Sequence, residues 1–179
     1  MSTTPPDLRA DCTRCCGLCC VAPAFYADQG FGFDKPAHQP CTHLGQDFRC
    51  AVHEGLARHG FPACAVFDCH GAGQRVTRLF GGRSWSSSPE LAPRMFDAYR
   101  RYRVLHELMA MLSVAIERAS PPDAVRLADQ RQLLEQLCES GAALEDTCRT
   151  HVLREQVLAH IRGALRPTAG TTPDRRTPG

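Results

Sequence analysis

Thiols are the side chains of this chain best suited to chemistry. Nine of its eleven cysteines fall between Cys12 and Cys69, and five of those lie in the run Cys12-Thr13-Arg14-Cys15-Cys16-Gly17-Leu18-Cys19-Cys20. At such density thiols bind metal or pair with one another. Cys12 with Cys15, and Cys16 with Cys19, form CxxC pairs of the kind that hold zinc or iron. Cys12, Cys16 and Cys19 also reproduce the CxxxCxxC spacing of radical-SAM enzymes. Those enzymes carry it on an α/β barrel, for which this chain has neither the length nor the strand pattern.

Cys41, Cys50, Cys64 and Cys69 complete the set. One tetrahedral zinc needs four ligands, so nine candidates (Cys12, Cys15, Cys16, Cys19, Cys20, Cys41, Cys50, Cys64 and Cys69) imply two sites or one polynuclear site. Thiolate is a soft donor that selects zinc, copper(I) or iron–sulfur. Zinc or an iron–sulfur cluster is the expected cofactor. If residues 12–20 are helical, their spacing puts all five thiols within about 140° of one face. A loop wrapped round the metal is the alternative, and Pro23 ends either element. His43, His53, His59 and His70 lie near the cysteines as further ligands or as donors to ligands. Cys138 and Cys148 stand beside helical apolar positions and read as core filling.

These residues need elements to hold them. Residues 1–88 are poor in aliphatics, with four valines and no isoleucine, and rich in Gly, Pro and aromatics. Such a segment buries little apolar area against its chain entropy, and a bound metal can offset the shortfall. From Leu91 the spacing Leu91, Met95, Ala98, Tyr102, Leu105, Leu108, Leu112, Ala115 predicts a helix, which Pro121-Pro122 end. A second helix is expected over 123–139 and a third over about 142–165. The expected fold is mainly α: an irregular, metal-stabilised, cysteine-rich region over 1–88, a three-helix antiparallel bundle over 89–166, and a disordered tail over 167–179. Residues 80–88 form the joint, with Trp85 either an anchor between the halves or an ordinary loop tryptophan.

Charge excludes some functions. Residues 1–88 carry 8 basic and 7 acidic side chains, and residues 89–166 carry 11 of each. Neither has the excess that a phosphate backbone attracts, so no nucleic-acid partner is expected. The run Tyr99-Arg100-Arg101-Tyr102-Arg103 reads as a solvated helix face. Gly71-Ala72-Gly73 is too short for a phosphate loop. The opening residues lack a signal peptide, and no apolar run reaches membrane-spanning length. A cytoplasmic location follows, where thiols stay reduced, which favours metal over disulfides.

The elements Cys12, Cys15, Cys19-Cys20, Cys41-Thr42-His43-Leu44, Arg49-Cys50-Ala51-Val52-His53 and Cys64-Ala65-Val66-Phe67-Asp68-Cys69 together resemble the YkgJ-type cysteine-cluster family, described as a zinc- or iron-chelating domain. The chain departs from that pattern in having Cys15-Cys16 where one cysteine is usual, and Gly60-Phe61-Pro62 where Arg-Pro is usual. The flagellin lysine-methylase group carries a similar cluster, which implies iron–sulfur as well as zinc. Phe33-Asp34-Lys35-Pro36 and Phe67–Gly73 are similar to the N-terminal region of some actinobacterial pentapeptide-repeat proteins, though no pentapeptide repeat is present. The reading is a metal-binding protein, non-enzymatic or partner-binding through its helices. The alternatives are an iron–sulfur or polynuclear enzyme, with the aromatic loop Phe25–Phe33 as substrate wall, and soft-metal storage or delivery.

Overall fold

A computed structural model describes residues 8–141 and 147–166, without the side chains of 147–149. Leu144, the side chain of Cys148 and the tail 167–179 lie outside them. The fold is mainly helical. Helix α1 spans Leu18–Val21, α2 Pro62–Val66, α3 Ala72–Leu79, α4 Leu91–Ile116, α5 Pro121–Glu139 and α6 Thr147–Ala164.

The long helix α4 is the axis of the molecule. All eight apolar positions of the expected stripe are buried: Leu91, Met95, Ala98, Tyr102, Leu105, Leu108, Leu112 and Ala115. Burying side chains of this size contributes roughly 1.5–3 kcal/mol each. Helices α5 and α6 pack on α4 and on each other. Ser120 precedes Pro121-Pro122, which occupy the first positions of α5. Proline suits that place because its missing N–H would have no helical partner there. The two prolines thus open the second helix, and the first ends before them, at Ile116. Leu127, Leu134 and Cys138 face inward from α5, so Cys138 fills the core as its spacing implies. In α6 Thr150 and Val157 are buried and Val152 is exposed, as is Leu165 just past the helix end.

The other face of α4 takes the cysteine-rich region. Leu18 and Val21 of α1 and Ala72 and Val76 of α3 are fully buried, in one hydrophobic cluster with α4. The aliphatic-poor front half therefore shares the core of the bundle. Between residues 23 and 60 only Phe25, Lys35 and Cys41 are buried. That stretch is held by two isolated bridges, Phe25 with Lys35 and Leu44 with Cys50. Trp85 is an anchor: its indole N–H donates to the Cys16 carbonyl at 2.9 Å, and its ring meets Phe48 and Phe96. No described helix is long and apolar enough to cross a membrane.

Candidate metal centre

The run Cys12–Cys20 is not one continuous helix. A 3-10 turn over Cys12–Arg14 ends at Cys15, whose backbone is extended (φ −120°, ψ 142°). Gly17 then takes a left-handed conformation (φ 68°), and α1 begins at Leu18. Left-handed backbone strains any residue with a Cβ, so a glycine at this point breaks the helix that the thiol spacing suggested. The break separates the neighbours Cys15 and Cys16. Cys15 lines a small cavity, whereas Cys16 is buried in the core with its Sγ 3.4 Å from the Thr77 hydroxyl.

That cavity, about 20 Å³ in volume, is lined by Asp11, Cys12, Cys15, Cys19, Cys69, Gly73, Gln74 and Tyr99. Four cysteines thus converge from three separate segments. Gln74 of α3 grips the first segment from both sides: its Oε1 accepts from the Asp11 N–H at 2.6 Å and its Nε2 donates to the Arg9 carbonyl at 2.9 Å. Arg49 donates to the Thr13 carbonyl at 2.9 Å. Gly73 lets α3 approach, since a Cβ there would stand 2.6 Å from Cys15 Sγ.

Cys20 of α1, with Cys41, Cys50 and Cys64, is outside the lining of that cavity. The Cys41 N–H donates to the Cys20 carbonyl at 2.9 Å, and the His43 N–H reaches Cys41 Sγ at 3.4 Å. After burial, the charges raising the Cys64 thiol are Cys19, Cys41 and Cys50. Cys19 also contributes to raising Cys12, Cys15, Cys41 and Cys69. Its Sγ is 3.8 Å from that of Cys20.

Burial is the first cause raising the thiols of Cys12, Cys15, Cys41, Cys64 and Cys69, with Cys15 pushed up to about 12 and Cys64 to about 11. The Cys19 thiol is raised first by its hydrogen bond with Cys20 and then by burial. Without a cation, several thiolates in one low-dielectric place are unfavourable, whereas a metal ion reverses that balance. The ten described cysteines are free thiols. Among the described residues no three His, Cys, Asp or Glu side chains are drawn together closely enough to hold an ion as they stand. The lined cavity and that spacing describe one arrangement: the sulfurs share a space without meeting at a point. In donor chemistry and number they are compatible with a soft metal.

Lys35 is a buried cation of the same region. It is 5% exposed, and its ammonium donates to the carbonyls of Val21, Pro23, Pro36 and Gln39 at 2.6–3.4 Å. Burial lowers its pKa, against a raising influence from Cys41 and Cys20.

Of the histidines, His43 packs edge-on to Phe61, His53 and His59 are exposed, and the His70 carbonyl accepts from His106 Nδ1 at 2.6 Å. The aromatic loop is packed on its own rings, Phe25 on Phe31 and Phe33 on Phe61. A larger cavity, about 510 Å³, lies instead beside α3, lined by Arg14, Arg75, Arg78 and His106 among others. Sequence reasoning missed Gln74, Gly73, Lys35 and Tyr99 as neighbours of the thiols. Tyr99 stands four residues after Met95 and three before Tyr102, both on the buried stripe, and that spacing was the available signal.

No family model matches the sequence, and no solved structure matches it. An uncharacterized Bacillus subtilis protein, YybG, is 40% identical over 118 residues, which cover 64% of this chain and 42% of the relative. The chain therefore spans less than half the length of that relative.

Proposed function

We propose that this chain is a metal-binding protein whose cysteines form two adjoining tetrathiolate sites for zinc or iron. The observation that carries the reading is the cavity that Cys12, Cys15, Cys19 and Cys69 line together. The break at Gly17 turns Cys16 into the core, which leaves eight thiols, two sets of four. One set is Cys12, Cys15, Cys19 and Cys69. The other is Cys20, Cys41, Cys50 and Cys64. Cys19 and Cys20, neighbours in α1, join them. The motif resemblance to the YkgJ-type cluster supports the same donor set.

A metal here supplies positive charge that holds thiolates together and ties the loops of 23–60 to α1 and α3. Lys35 and Arg49 add fixed positive charge at the edges. Closed thiolate sites of this kind are structural, so the protein is read as non-enzymatic, in a reducing compartment such as the cytoplasm. The helical face, with Val125 and Leu133 exposed on α5, is the surface for a protein partner. Iron with labile sulfide in the same sulfurs would favour redox chemistry instead.

Single substitutions test the assignment by metal count. Cys16→Ser is expected to keep about two ions per chain, and Cys15→Ser to lose about one. Equal metal content in both variants, or loss in Cys16→Ser alone, would contradict the grouping.

A further inference from the structure

Tyr99 carries a polar atom with no use in the metal-free chain. The residue is 2% exposed, in the middle of α4. Its hydroxyl is buried and has no hydrogen-bond partner. Leaving a hydroxyl so placed is unfavourable, and phenylalanine would fill the same space without that cost. The contrast lies one turn along the helix. Tyr102 is also buried, but its hydroxyl donates to the Cys138 carbonyl at 2.9 Å. Tyr99 lines the cavity of Cys12, Cys15, Cys19 and Cys69. The two other polar side chains of that cavity are already engaged. Asp11 accepts from the Thr13 N–H and from Arg14, and Gln74 bonds Asp11 and Arg9.

From this we infer that Tyr99 is a positioning residue for the metal centre, whose hydroxyl donates a hydrogen bond to a metal-bound thiolate of the Cys12, Cys15, Cys19 and Cys69 set. The inference rests on the metal-binding reading and assigns a role that no cysteine can fill. A neutral thiol is a weak acceptor, which accounts for the unpartnered hydroxyl. A thiolate on a metal retains lone pairs and negative charge, and a phenol is a good donor to it. Such a bond withdraws charge from sulfur, orients the ligand, and makes the thiolate less open to protons and electrophiles. It also gives α4 a direct hold on the centre, which otherwise draws its ligands from the region before residue 70.

Cobalt(II) titrated into the reduced, metal-free full chain provides the test, with Tyr99→Phe and Tyr102→Phe compared to wild type. Without metal, Tyr99→Phe is expected to be at least as stable as wild type, because an unpartnered hydroxyl has gone. With cobalt, its affinity should fall about 10-fold, and the thiolate-to-cobalt absorption band should move to longer wavelength, since the sulfur keeps more of its charge. Tyr102→Phe should lose stability with and without metal and leave the band in place. A Tyr99→Phe chain with wild-type affinity and band position would overturn the inference while leaving the metal reading intact. So would one that fails to fold, since the hydroxyl would then have a partner in the metal-free chain. Absence of cobalt binding in wild type would overturn both.

Discussion

Cys15 and Cys16 show how much one backbone torsion decides. They are adjacent and chemically identical, yet one thiol faces the cavity and the other faces Thr77 in the core. The choice was open in the sequence because spacing alone cannot reveal where a helix breaks, and one glycine only weakens a helix. Cys138 was legible, since it falls on the inner stripe of a periodic helix. Burial pushes its thiol up to about 12 from an ordinary value of 9.0. Between those two values the unfolded chain loses this proton and the folded chain keeps it, so stability falls as pH rises. Below about pH 9 the contribution is complete. Cys138→Ala should therefore cost about 1–2 kcal/mol at pH 7. The gap from wild type, measured by urea unfolding of the metal-free protein, should narrow as pH climbs from about 9 toward 12. A gap independent of pH would show that this thiol titrates as it would in water.

Among the elements, α4 was the most legible and the short helices the least. Its stripe repeats over seven turns, and tertiary packing agrees with it at every position named. Helices α1, α2 and α3 have 4, 5 and 8 residues, too short for a periodic signal, and their placement depends on contacts remote in sequence. Gln74 reaching back to Asp11 is one such contact. The Trp85 bond to the Cys16 carbonyl is another. Gly17 is where element and site meet. A Cβ there would stand 2.8 Å from Leu44 and 3.3 Å from the Phe48 carbonyl, on left-handed backbone. Gly17→Ala should cost at least about 1–2 kcal/mol from the torsion alone, seen as a lower urea midpoint. An unchanged midpoint would mean that α1 can begin elsewhere and that the break is not imposed by this residue.

For the whole molecule, two kinds of cohesion are expected to share one core. Apolar packing holds α4, α5 and α6 together and extends to Leu18, Val21 and Val76. Residues 23–60 have little of it, with one buried aromatic, one buried lysine and one buried cysteine. Removal of metal with a strong chelator should therefore open 23–60 to protease while most of the helical circular dichroism remains, because the long helices do not depend on the thiols. Cleavage in α4 at the same rate would show instead that the molecule melts as one unit. The aliphatic poverty of the front half was readable from composition, and its attachment to the bundle was not, because four small or medium side chains of α1 and α3 do that work. The most direct test is to purify the protein without oxygen, count metal and acid-labile sulfide per chain, and record the visible spectrum. About two metal ions per chain are expected, colourless if zinc and brown with sulfide if iron. A folded, reduced protein with no stoichiometric metal would contradict it.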